Sequence, residues 1–163
     1  MRVLIVGAGG VGAAVAAIAR RRAFIEHLTL ADVDERRAAA VAARMGDDRR
    51  FASARVDASD EAQLAELIAS IAPDAVLNAT DPRFNEPIFN ACFVTGTTYL
   101  DMAMTLSKPH SERPYEEPGV KLGDAQFAAA RQWEEAGLLA LVGIGVEPGL
   151  SDVLARYAAD HLF

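Results

Sequence analysis

Short apolar runs alternate with helical patterns along the whole chain. The runs of strand length are Val3–Val6, Leu28–Ala31, Phe51–Val56, Ala75–Asn78, Thr98–Leu100 and Leu138–Ile144. Val3–Val6, Ala75–Leu77 and Leu138–Val142 are apolar at every position, the pattern of parallel strands covered on both faces. Between the runs lie helical segments at Gly10–Arg22, Glu35–Arg44, Asp60–Ile71, Pro87–Thr95 and Asp124–Glu135. In the third, Leu64, Leu67, Ile68 and Ile71 fall at helical spacing, Ser59 or Asp60 can cap the start, and Pro73 stops it. Gly137 follows the last of them, where a left-handed helix end favours glycine. Strict β-α alternation with right-handed crossovers predicts an α/β domain: a doubly wound parallel sheet of about six strands.

Two segments break the rhythm. The connection Met102–Gly123 is longer than a strand-helix loop needs, so it is either a functional lid-like loop or a solvated insertion. After the sixth run, "GVEPGLSD" leads into Leu150–Phe163, where Leu150, Val153, Leu154, Tyr157, Ala158, His161 and Leu162 recur at helical spacing. Ser151 and Asp152 sit at its start, where a cap or an acid suits a helix. The sheet is complete at Ile144, so this amphipathic helix needs another surface. The expected division is a cofactor-binding domain over 1–146, and a crossover loop with a first helix over 147–163 leading towards a second domain.

Composition changes little in this picture. Half the residues are apolar and a quarter charged, as in ordinary globular domains. Alanine concentrates in Ala13–Ala19, Ala38–Ala43 and Ala125–Ala130, which suits closely packed helices. The net charge of −7 argues against a nucleic-acid or anionic-membrane partner. Cys92 is the single cysteine, so neither a disulfide framework nor a cysteine metal site is available, and no metal is expected. The apolar start is broken at Gly7 and is too short to span a membrane. A cytoplasmic location is expected, and a homodimer is compatible with the sequence.

The chemistry is carried first by "VLIVGAGGVG". Gly7, Gly9 and Gly12 match G-x-G-x-x-G between a buried strand and a helix, the context that makes this motif a dinucleotide fingerprint. Gly7 permits the turn, Gly9 lets a pyrophosphate approach the backbone, and Gly12 lets helix and strand pack closely. Gly10 and Val11 then open the helix whose free N–H groups face the phosphates. Asp32 follows Gly12 by 20 residues, the interval for the acid that receives ribose hydroxyls. Such a carboxylate repels a 2′-phosphate, so NAD is the expected cofactor and NADP is disfavoured. Arg36 and Arg37, one turn further on, soften that preference. Val33 follows Asp32, and Asp34 suits a cap for the next helix. Asp57, with Ala58 behind it, either accepts from the adenine amino group or caps the next turn. Asn78, Ala79 and Thr80 end the fourth strand at the crevice where strand order reverses.

With these segments in place, the chain resembles the dinucleotide-binding domain of the saccharopine dehydrogenase family, Rossmann-type proteins that include saccharopine, lysine and carboxynorspermidine dehydrogenases. The carrying segments are "GAGGVG", "VDASD", "VLNATDPRFNEPIFNACFVTGTTYLDMA" and "GVEPGLSD". The resemblance implies an NAD(P)-dependent oxidoreductase that acts on the C–N bond of an amino-acid-type small molecule, with hydride moving between nicotinamide and an amine-bearing carbon. It also places Tyr99, Asp101, Glu147, Pro148 and Gly149 on the nicotinamide and substrate side. The chain departs from the family at Met102-Ala103, where Thr or Ser is common, and at Glu147, where Asp is common. No catalytic acid or base is identified. The competing reading is an NAD-sensing regulatory domain without catalysis. Cys92 fits a buried small residue rather than a nucleophile. His110, beside Lys108 and Arg113, can meet an acidic substrate or stay solvated, and Arg83 is similarly open to two readings. No Tyr-x-x-x-Lys pair exists, which argues against short-chain dehydrogenase chemistry.

Overall fold

The computed structural model describes residues 1–163. Six parallel strands form one sheet: β1 (Arg2–Val6), β2 (His27–Asp32), β3 (Phe51–Arg55), β4 (Ala75–Asn78), β5 (Thr98–Asp101) and β6 (Ala140–Leu141). Their spatial order is β3-β2-β1-β4-β5-β6, the doubly wound arrangement the alternation predicts. The order reverses between β1 and β4, so the carboxyl ends of these strands open a crevice.

The helices are α1 (Gly10–Ala19), α2 (Glu35–Arg44), α3 (Glu61–Ile71), α4 (Asn85–Thr95), α5 (Asp124–Ala128), α6 (Ala130–Glu135) and α7 (Leu150–His161). Asp34 caps α2 by accepting from the N–H groups of Arg36 and Arg37, and Asp60, rather than Ser59, caps α3 through the Gln63 N–H. The expected long helix over 124–135 is broken at Ala129, leaving two short pieces. A 3-10 turn at Pro82–Phe84 precedes α4, which begins two residues before the expected start at Pro87.

Two cores sandwich the sheet. On one face Ile5, Leu28, Leu30 and Phe51 pack with Ala16 and Ala19 of α1 and Ala38 and Val41 of α2. On the other, Leu4, Val76 and Tyr99 pack with Leu64 and Ile68 of α3, Ile88, Phe89 and Cys92 of α4, and Trp133 of α6. An aromatic chain ties this side together: Phe89 meets Tyr99 edge-on at 5.2 Å and Trp133 at 4.6 Å. Each such pair contributes about 0.5–1.5 kcal/mol beyond area burial. Cys92 is fully buried, and burial pushes its thiol up to about 12.

The first face is only half covered. Ile5 lies beside Leu77, Leu77 beside Leu100, and Leu100 beside Leu141, all in one register row. Right-handed crossovers send α1 and α2 over β1–β3 and α3, α4 and α6 to the opposite face. Leu139 and Leu141 are therefore exposed (51% and 41%). This corrects the expectation for Leu138–Ile144, which is neither two-sided nor a full strand. Pairing with β5 holds only at Ala140 and Leu141, and Gly143 turns out of extended geometry at φ 69°. The last helix behaves likewise. It forms from Leu150 to His161 as patterned, yet no residue of α7 is buried. No helix is long and apolar enough to cross a membrane.

Candidate dinucleotide site

The glycine loop is stapled at both ends of the crevice. The Gly7 N–H donates to the Ala31 carbonyl at 2.7 Å, and the Ala79 N–H donates to Val6 at 2.8 Å. Gly7 has φ 105°, and a Cβ there would meet the Ala79 oxygen at 2.7 Å. At Gly12 a Cβ would fall 2.0 Å from the Gly7 oxygen, so these two glycines are required by the protein itself. Gly9 and Gly10 differ: a Cβ at either meets nothing within 4 Å. Their bareness opens onto space, as a loop that receives a ligand against its backbone requires.

A cavity of about 420 Å³ lies beside this loop. Gly7 and Gly9 form one wall, and Asp32 and Val33 the β2 side. Asp57, Ala58 and Ser59 close it at β3; Ala79, Thr80 and Phe84 close it at β4. Gly7, Gly9, Asp32, Val33, Asp57, Ala58, Ala79 and Thr80, drawn from four separate segments, thus share one cavity. Gly10 and Val11 lie at the exposed start of α1, and Gly12 is buried under it. Asn78 is buried too, and acts through a neighbour. Its Oδ1 accepts from the N–H of Thr80 at 2.9 Å and from its hydroxyl at 2.6 Å, which sets Thr80 at the crevice wall. Phe84, which no sequence pattern singled out, and Ser59, which the sequence offered only as a helix cap, also line it.

Asp32 is anchored rather than free. Its Oδ2 accepts from the Ala8 N–H at 2.8 Å, its Oδ1 from the Asp34 N–H at 2.9 Å, and it is 7% exposed. One lone-pair position on each oxygen remains. Asp57 is open to solvent, with Oδ1 accepting both the N–H and the hydroxyl of Ser59. Those bonds hold its carboxyl below the usual range, so at neutral pH it is an ionised acceptor.

The substrate-side residues form a separate cluster. Asp101, 1% exposed, is a buried hub: its Oδ2 accepts from the Tyr99 hydroxyl at 2.9 Å and Gln126 Nε2 at 2.6 Å, and its Oδ1 from the Gly143 N–H at 2.7 Å. Burial first, and the Asp101 charge second, push the Tyr99 hydroxyl far up. Asp101 therefore does not open onto the crevice as strand position suggests; it binds the 102–126 segment and the β6 end to β5. Pro148 and Gly149 are half-buried, Glu147 is exposed, and none of the three lines the cavity. In the long loop, His110 Nδ1 accepts from the N–H groups of Glu112 and Arg113, and its Nε2 lies 3.4 Å from Glu117. His110 and Arg113 are thus engaged within their own loop. Arg83 lies 3.5 Å from Asp81 and over the Phe84 ring.

The sequence profile described as the saccharopine dehydrogenase NADP binding domain matches residues 3–141. The chain belongs to this family. Across its full length, in an alignment of 171 residues, it is 29% identical to carboxynorspermidine synthase of Vibrio cholerae and covers 40% of that protein. It is 32% identical to carboxyaminopropylagmatine dehydrogenase of Synechocystis, with 99% of this chain and 38% of that protein aligned. Apo saccharopine dehydrogenase (L-Glu forming) of Saccharomyces cerevisiae superposes with a TM-score of 0.75 at 20% identity, over 99% of this chain and 31% of that one. This last likeness shows the fold. The chain spans about 40% of the length of the curated relatives it matches. It is a nicotinamide-dinucleotide domain of the saccharopine dehydrogenase family, and the profile match stops at Leu141, before the "GVEPGLSD" turn.

Proposed function

We propose that this chain is the cofactor-binding part of an NAD(P)-dependent oxidoreductase acting on a C–N bond, with NAD(H) preferred over NADP(H). The preference rests on Asp32, an anchored carboxylate on the cavity wall beside the bare backbone of Gly9. Its two remaining lone-pair positions suit the paired hydroxyls of a ribose, and its charge opposes a 2′-phosphate. The family's description names NADP; Asp32 supports the opposite order for this chain. The α1 N-terminus, with Gly10 and Val11, would hold the pyrophosphate, Asp57 would accept from the adenine amino group, and Ala79 and Thr80 would flank the nicotinamide half. Bound dinucleotide would supply the hydride acceptor; the residues here bind and orient it.

The relatives' names denote carboxylated amines, so the proposed substrate is an amine bearing a carboxylate. Its binding wall is proposed to come from a second domain of the same polypeptide, since the relatives are two and a half times as long as the part aligned. That domain would cover the open Leu100–Leu141 row and the apolar side of α7, with Tyr99 and Asp101 supporting the wall from behind and Glu147–Gly149 forming its near edge.

Calorimetric titration tests the cofactor order: NADH should bind more tightly than NADPH. Asp32→Ala should weaken NADH about 10-fold or more, near 1.4 kcal/mol, and narrow the gap. Equal affinities in the wild type would remove the Asp32 argument. The chain alone should not reduce NAD with saccharopine or lysine, and steady turnover in a spectrophotometric assay would overturn the two-domain reading.

A further inference from the structure

We infer that Asn85 is a positioning residue that joins the crevice wall at Thr80 to the start of the long connection, so that a dinucleotide on the wall fixes the seat of residues 103–126; this rests on the dinucleotide reading above. Six polar side chains are buried, and four of them, Asn78, Asn85, Asp101 and Gln126, share one hydrogen-bonded network with the Tyr99 hydroxyl. Burying so many polar groups in one place costs free energy that an apolar core would avoid. The network runs from the wall to the long connection by two branches. In the short one, Asn78 Nδ2 donates to Asn85 Oδ1 at 2.8 Å, and Asn85 Nδ2 donates to the Ala103 carbonyl at 2.6 Å. In the long one, Asn78 Nδ2 reaches the Tyr99 hydroxyl at 3.4 Å, and Asp101 and Gln126 follow. Gln126 Oε1 then accepts the N–H and the hydroxyl of Thr105 at 2.9 and 3.1 Å.

The short branch has a fixed direction. A backbone N–H only donates and a backbone carbonyl only accepts. The Thr80 N–H therefore holds Asn78 Oδ1 towards the crevice, which turns its Nδ2 to Asn85. The Ala103 carbonyl holds Asn85 Nδ2 in the same way. Neither amide can flip without losing a bond on each side. The Thr80 hydroxyl proton is committed to Asn78 Oδ1 at 2.6 Å, so its lone pairs are what a ligand can meet. A donor received there strengthens the bonds behind it in turn, because hydrogen bonds in a chain polarise one another. Phe84 lines the cavity immediately before Asn85 opens α4, which ties the same position to the ligand through the backbone. No residue of 102–126 lines the cavity. A response of that segment to the ligand must therefore pass through the wall.

The test is hydrogen exchange with and without saturating NADH on the wild type, Asn85→Leu and Asn85→Ser, with calorimetry setting saturation for each. The reporters are the amides of Thr105, Lys108 and Gly123, bonded to Gln126, Val120 and Thr105 respectively. In the wild type NADH should slow them by about 5-fold or more, the lower end of ordinary coupling between sites, and leave α7 unchanged. In either variant that folds, these amides should exchange faster at rest and the NADH-dependent slowing should vanish. A purely structural Asn85 would give faster exchange and keep the slowing, which overturns the inference. So does a wild type that binds NADH without slowing these amides, or that slows α7 equally; this arm needs no variant. A folded variant that no longer binds NADH puts Asn85 in the site itself and overturns its positioning role. In each of these cases the dinucleotide reading stands. A wild type that does not bind NADH overturns both.

Discussion

Asp32 and Asp101 look alike in the sequence and do opposite work in the structure. Each ends a parallel strand at the carboxyl edge of the sheet, and each is nearly buried, 7% and 1% exposed. Asp32 takes two backbone N–H groups, one from Ala8 in the glycine loop and one from Asp34, and keeps a face on the cavity. Asp101 takes donors from Tyr99, Gln126 and Gly143, the last 42 residues away, and lines no part of the cavity. The edge around β1, β2 and β4 leaves its polar groups for a ligand. The edge around β5 and β6 spends them on holding irregular chain to the sheet. An acid at a strand end marks a binding site only when the groups that bond to it leave part of its carboxylate facing a cavity.

Removing Asp101 should produce the largest effect. Asp101→Ala leaves three donors without their acceptor, at about 1–3 kcal/mol for each that stays dry, so a total loss near 3–5 kcal/mol is expected by urea denaturation. Asp101→Asn, which keeps one acceptor oxygen, should lose less. NADH affinity of the folded fraction should change by less than about 3-fold, near 0.6 kcal/mol. If binding disappears while stability holds, Asp101 belongs with Asp32 and the contrast collapses.

The glycine loop offers the same contrast within six residues. Gly12→Ala pushes a methyl into the Gly7 carbonyl, 2.0 Å from the ideal Cβ, and should destabilise by about 1–3 kcal/mol. Gly9→Ala meets no protein atom, and Gly9 has φ −73°, which alanine adopts freely. Its stability should stay within about 0.5 kcal/mol, while calorimetry should show NADH weakened. A Gly9→Ala protein that binds NADH normally would mean that no ligand uses this space.

Much of this was legible in the sequence, and the limits are physical. The order of strands and helices followed from local periodicity, and the glycine loop with Asp32 from a spacing that one β-α-β unit sets by itself. The lining by Phe84 was not visible, because it depends on a 3-10 turn between β4 and α4 rather than on a pattern. The buried role of Asp101 was hidden because its donors come from elements brought together only by the fold. Leu138–Val142 read as a two-sided strand because an apolar run reports the wish to be covered, not the presence of a cover. In this chain crossover handedness places α3, α4 and α6 on the opposite face.

That last point bears on α7, where the smallest effect is expected. Its Leu150, Val153, Leu154 and Tyr157 are all more than half exposed, so the helix draws no stability from burial and, at 12 residues, is marginal by itself. The Arg156–Asp160 pair, one turn apart and exposed, contributes only about 0.3–0.5 kcal/mol to it. Truncation after Gly149 should therefore shift the unfolding free energy by no more than about 0.5 kcal/mol and leave NADH affinity unchanged. Circular dichroism should show the loss of one short helix and no change in the cooperativity of melting. A loss above about 1 kcal/mol would place α7 on the open half of the sheet, against Leu100 and Leu141, because no other exposed apolar row lies beside β6 to receive it.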